Sequence, residues 1–121
     1  MTSRRLAPFA RFCSASLAGR EHGFDRPIYF ANEESGGAAT FDGTGGLAVA
    51  IFDNEAHGLP YLGRFAWENT LVQPTRFGKR VVIMGMEDGP ASQVRTDVNS
   101  QLYMYVGEKS RARGAGVVQR L

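Results

Sequence analysis

Two adjacent acid pairs close apolar runs in this sequence. Glu33-Glu34 ends the stretch "PIYFANEESGG" at 27–37, and Glu87-Asp88 ends "VVIMGMEDGPA" at 81–91. A fifth acid, Glu68, sits inside the apolar stretch "FAWENTLV". Several carboxylates that converge, joined by an amide oxygen such as that of Asn32 or Asn69, make a ligand set for a hard cation, and calcium suits it. Neighbouring side chains in a strand point to opposite faces, so one member of each pair can turn inward while the other faces solvent or the turn. Glu68 is the most informative of the five, because an ionised carboxylate in apolar surroundings needs a compensating partner. Arg26 and Arg64 are candidates for that role. The residues alone leave two readings open: a shared metal site, or acids that end strands while Glu68 pairs with an arginine.

The other reactive side chains carry less. His22 and His57 are far apart and form no metal-ligand spacing. Cys13, in "RFCSAS", has no histidine nearby to activate it, so a buried or inert thiol is expected. The glycines of "DGTGG" lack the strand-loop-helix context of a phosphate loop.

The elements that must position the acids read as short strands. Residues 28–32, 47–52, 65–72, 80–86 and 101–106 are apolar or alternating runs between turn residues, and 38–42 is a further short strand. Residues 65–72 and 80–86 form a hairpin around "PTRFGK". Residues 6–18 read as a weak helix or an extended lead-in, "NEAHGLPYLG" as a loop, and "GPASQVRTDVNS" as a long polar loop. Fifteen glycines and five prolines fit this turn-rich β pattern better than a helix bundle.

The two acid-ended strands also align with each other. "RPIYFANEESG" from Arg26 and "RVVIMGMEDGP" from Arg80 match without a gap. The interval from Arg26 to Arg80 is near the period of β-propeller blades, which repeat every ~40–50 residues with several strands per unit. The expected fold is therefore all-β, with antiparallel sheets forming a partial β-propeller of about two blades.

Charge divides the chain into three parts. Residues 1–20 hold four arginines and no acid, and 109–121 hold four basic residues and no acid. The stretch 21–108 has six basic groups against twelve acids, so the propeller part is acidic between a basic N-terminal segment and a basic Gly-rich tail. An acidic module argues against nucleic acid as a partner and for cations. A single cysteine excludes an internal disulfide framework. No apolar run approaches the roughly 20 residues of a membrane span. Arg4 and Arg5 are not followed by the apolar stretch of about 7–15 residues that a signal peptide needs, so no export signal is evident in this chain.

At "RFCSASL", "IYFANEESGG", "HGLPYLGRFAWENTLVQP", "VVIMGMEDGPASQ" and "QLYMYVGEKS" the chain resembles a bacterial family of secreted β-propeller proteins related to the PhoX-type alkaline phosphatases. The similarity runs from about residue 11 to residue 110 and is most specific over 59–74. The resemblance implies hydrolysis of phosphate monoesters in the periplasm or cell exterior, with Glu33, Glu34, Glu68, Glu87 and Asp88 as metal ligands in a central channel. Arginines, with Arg26 and Arg64 as candidates, would hold phosphate. Two positions depart from the PhoX pattern: Asn32 stands where a cysteine precedes the first acid pair, and Trp67 where histidine often precedes the strand glutamate. Without that thiolate an iron centre is disfavoured, and Asn32 as an additional ligand suits calcium.

A full propeller needs several hundred residues. The expected function is thus that of a PhoX-like metal-dependent phosphatase fragment, incomplete alone, whose partners are the remainder of the propeller or a second copy, with a small phosphorylated substrate once completed. The alternative is a non-catalytic, calcium-stabilised module derived from a propeller.

Overall fold

The computed structural model describes residues 8–75, 78–89 and 100–109. Among them run strands β1 (Phe12–Ala18), β2 (Ile28–Glu33), β3 (Ala48–Phe52), β4 (Glu55–Gly58), β5 (Trp67–Val72), β6 (Arg80–Glu87) and β7 (Leu102–Glu108). They form two antiparallel sheets, one of four strands in the order β1-β2-β3-β4 and one of three in the order β5-β6-β7. The all-β, antiparallel expectation holds. Most of the long polar loop expected beyond Gly89 and of the basic tail beyond Lys109 lies outside the described residues.

Three segments differ from the sequence reading. Residues 12–18, read as helix or lead-in, pair with β2 as the edge strand β1. Residues 38–42, read as a strand, form none and instead begin within a 3-10 turn at Gly37–Ala39. Their polar groups find local or side-chain partners instead of a ladder: Thr40 Oγ1 donates to the Gly37 carbonyl at 2.9 Å, and the Phe41 N–H donates to Glu33 Oε1 at 2.8 Å. Residues 55–58, read as a loop, form β4. Asp53 and Asn54 adopt φ of 51° and 61°, which these residue types tolerate, and this closes a tight hairpin between Phe52 and Glu55.

The two sheets repeat one another strand by strand. The pairs Tyr29↔Ile51, Phe30↔Ala50 and Asn32↔Ala48 of β2 and β3 recur, at the interval that separates Arg26 from Arg80, as Ile83↔Tyr105, Met84↔Met104 and Met86↔Leu102 of β6 and β7. The first strand of each sheet follows with the interval lengthened by a single position, so that Phe12↔Glu33 becomes Trp67↔Glu87. Even the irregularity repeats, since β1 shifts register between Phe12 and Ser14 and β5 between Trp67 and Asn69. A bulge re-aims a side chain, here Cys13 in the first sheet and Glu68 in the second.

The sheets stack face to face on one core. Ile28, Phe30, Ala48 and Ala50 of the first sheet pack with Trp67, Val72, Val81 and Ile83 of the second. Period-2 alternation explains this choice of residues, because β6 buries Val81, Ile83 and Gly85 while Val82, Met84 and Met86 point away. Gly85 leaves room for the Trp67 ring, against which a Cβ there would clash. The indole Nε1 of Trp67 donates to the Gly46 carbonyl at 3.2 Å, satisfying the polar atom of an otherwise apolar side chain.

Candidate metal centre

Each acid pair splits its two members between two jobs. Glu33 is fully buried, and its carboxylate accepts three backbone N–H groups: Ala10 at 3.0 Å and Phe41 at 2.8 Å on Oε1, and Leu47 at 3.1 Å on Oε2. Glu87, its counterpart in the repeat, accepts the Gln101 N–H at 3.3 Å and the Tyr103 hydroxyl at 3.2 Å on Oε2. Leu47 and Gln101 are themselves repeat equivalents, each standing just before the third strand of its sheet's β1-β2-β3 or β5-β6-β7 series. The first acid of each pair therefore clamps the start of that strand. Three amide donors account for the burial of the Glu33 charge.

The second acid of each pair turns the other way. Glu34 follows β2 directly and Asp88 follows β6 directly. Both are fixed by equivalent backbone bonds, Glu34 N–H to the Arg11 carbonyl at 2.8 Å and Asp88 N–H to the Ala66 carbonyl at 2.9 Å. Glu68 leaves β5 at the bulge. One carboxylate oxygen from each of Glu34, Glu68 and Asp88 lies within 4.8 Å of the other two. Glu34 is 9% exposed, whereas Glu68 and Asp88 are open to solvent. The structure thus gathers three of the five sequence-selected acids from three strands on two sheets. Glu33 and Glu87 are engaged in strand clamping instead.

Arg11 borders this group, with Nη2 at 3.2 Å from Glu34 Oε1. Cys13, two positions on, is exposed and lies beside Glu34 and Arg11. The Glu34 carboxylate favours the neutral thiol and pushes the Cys13 pKa up, against a smaller downward pull from Arg11. The guanidinium of Arg11 is held in its charged form by Cys13 first, then by Glu34, with a smaller contribution from Asp88. Neither residue is selected by sequence spacing. The signal that finds Cys13 is the repeat of the first strand, which aligns "FCSASL" with "WENTLV" and places the thiol where the second sheet has Glu68.

The remaining expected site residues are held elsewhere. Asn32 is fully buried between the sheets, donating from Nδ2 to Ser14 Oγ at 3.1 Å and accepting the Thr70 hydroxyl on Oδ1 at 3.0 Å. Arg26 pairs with Asp25 at 2.8 Å and with Asp53, and its guanidinium lies over the Phe52 ring. Arg64 pairs with Asp42. Both arginines compensate acids other than Glu68. His22 Nδ1 accepts the Gly19 N–H at 3.0 Å, and His57 stacks on Phe52 with ring centroids 4.6 Å apart.

The donor set fits a hard divalent cation. Among the described residues three carboxylates converge and Arg11 pairs with one of them, Glu34, leaving net negative charge that an oxygen-preferring ion would offset. Among the described residues no helix is long and apolar enough to cross a membrane. No family model, curated protein or solved structure matches this chain.

Proposed function

We propose that this chain forms two neighbouring blades of a PhoX-like, metal-dependent phosphatase propeller, with Glu34, Glu68 and Asp88 as the ligands of a calcium ion. The observation that carries the reading is the convergence of those three carboxylates from the ends of β2 and β6 and the bulge of β5. A bound cation would supply charge to polarise a phosphoryl oxygen. The chain's own contribution is positional. The bulge aims Glu68, the paired backbone bonds to Arg11 and Ala66 fix Glu34 and Asp88, and the clamps at Glu33 and Glu87 hold the strands that carry them.

Arg11 takes the role expected of Arg26 and Arg64 as the cation available to a phosphate oxygen. Its side chain is 61% exposed beside the acid group, while the other two arginines are paired away from it. The reading carries a periplasmic or extracellular setting with it. The solvent-open positions of Glu68 and Asp88 also suit a second reading, in which calcium only ties the two sheets together.

Calcium titration separates these readings from an empty acid group. Calcium should raise the thermal unfolding temperature over that in chelator, because a ligand that binds only the folded state stabilises it by mass action. The 121-residue chain alone should not turn over a phosphate monoester, since two blades leave the charge distribution incomplete. A longer form that binds calcium without phosphatase activity favours the second reading. No calcium effect on either form removes the metal site.

A further inference from the structure

Among the described residues, the stacking of the two sheets leaves an apolar face on each side of the pair. On the three-stranded sheet, Leu71, Leu102, Met104 and Val106 are 50–66% exposed and point away from the core, beside half-buried Val82 and Met84. On the four-stranded sheet, Leu17 is 65% and Tyr29 47% exposed on the face opposite the core, next to Ile51 across the ladder.

The strand register relates these faces to the core between the sheets. Ile28, Phe30, Ala48 and Ala50 form the face of the first sheet that the second sheet covers. Their repeat counterparts are Val82, Met84, Leu102 and Met104, the open face of the second sheet. The converse holds on the other side. Val72, Ile83 and Tyr105 of the second sheet face the first sheet, and their counterparts are Leu17, Tyr29 and Ile51, the open face of the first. The sheets are therefore related head to tail, and each open face is the repeat equivalent of one side of the buried core. Units of this kind bury their apolar faces only by stacking on the next unit.

We propose that the open face of β5, β6 and β7 binds the open face of β1, β2 and β3 of a second copy of this chain, in a head-to-tail contact. The contact reproduces between copies the packing already present between the two sheets. Because the two surfaces differ, the contact is heterologous: each copy keeps one unsatisfied face, and growth stops only if the ring closes. A symmetric pair through either face alone would set one repeat face against itself, an arrangement for which the molecule has no example. In a longer propeller, neighbouring blades would cover these same faces, so the proposal concerns the 121-residue chain itself; it stands on strand register and is independent of the cation, so failure of calcium binding leaves it intact.

Sedimentation velocity across a concentration series, without added calcium, tests it. The wild type should show mass increasing with concentration beyond the monomer. Met104→Glu removes one surface and Leu17→Glu the other, so each variant alone should sediment as a monomer. Mixed in equal amounts, the two should form a 1:1 dimer and nothing larger, since each supplies the surface the other lacks. Both positions are more than 60% exposed, and circular dichroism checks that the variants stay folded. Leu102→Lys and Tyr29→Lys give the same readout should either first variant unfold. A wild type that stays monomeric throughout overturns the proposal. So does a Leu17→Glu variant that dimerises alone, which would mean a symmetric pair through the β5–β7 face.

Discussion

Asn32 and Thr70 meet between the two sheets, the Thr70 hydroxyl donating to Asn32 Oδ1 at 3.0 Å with both side chains fully buried. This bond joins β2 to β5 inside a largely apolar core. Removing one partner strands the other without solvent. Thr70→Val should therefore cost about 1–3 kcal/mol in chemical denaturation, the range for an orphaned buried polar group. In a double-mutant cycle with Asn32→Ala, the two costs should be less than additive, because the second change removes the group that the first one orphaned.

Glu33 and Glu87 perform the same clamp at different depths. Glu33→Gln places an amide NH₂ or a neutral oxygen against three backbone donors in a fully buried site. Its expected cost is about 1.5–3 kcal/mol per charge-assisted bond weakened. Glu87→Gln, half-buried and reachable by water, should cost clearly less. Equal costs in paired urea melts would contradict the clamp assignment for Glu33.

Glu68→Gln separates a cation site from an ion-pair partner. It removes one of three mutually repelling carboxylates, so the calcium-free form should melt at the same or a higher temperature. Calcium affinity should fall at least about tenfold, the lower end of what losing even an outer partner of a metal site costs. A lower melting temperature in chelator would instead identify Glu68 as the partner of a cationic side chain.

The Cys13 thiol reports on the acid group without any phosphatase assay. Glu34 favours the protonated thiol, so half-maximal alkylation by iodoacetamide should occur at a higher pH than for a free cysteine. Glu34→Gln should move the profile back down, and Arg11→Ala further up, because the guanidinium favours the thiolate. Calcium at the acid group should lower the profile by offsetting the carboxylate charge. A wild-type profile like that of an ordinary exposed cysteine would show that the thiol does not engage Glu34.

Gly46 is held by backbone on several sides, where a Cβ would meet the carbonyls of Phe65, Glu33 and Ser35. Gly46→Ala should destabilise by about 1–3 kcal/mol or more through overpacking, since backbone cannot give way as a flexible side chain does. It should also loosen the Trp67 indole bond to the Gly46 carbonyl, visible as a red shift in tryptophan emission. Gly36→Ala, where a Cβ meets open space, is the matched control.

Period-2 patterning is a local property, so β2, β3, β5, β6 and β7 were legible in the residues alone, wherever alternation or a short apolar run was strong. The repeat of the acid-ended strands was legible too, since a gap-free match from Arg26 onto Arg80 needs no coordinates. β1 and β4 were not. The alternation of "FCSASLA" is carried by small and weakly polar residues, and β4 exists because Asp53 and Asn54 accept a left-handed turn that pairs Glu55 with Phe52.

Which acid of each pair joins the acid group was settled by tertiary packing. Adjacent side chains in a strand leave on opposite faces, and the choice belongs to whichever can reach unpaired backbone donors at the next strand. Glu33 and Glu87 reach Leu47 and Gln101, which leaves Glu34 and Asp88 to meet Glu68. The same holds for the arginines. Arg26 and Arg64 lie near the motifs in sequence, but chain reversal carries them to Asp53 and Asp42, while Arg11 arrives beside Glu34 through β1–β2 pairing. Side-chain partnerships between distant segments depend on sheet register, and register is a property of the assembled ladder, not of any one strand.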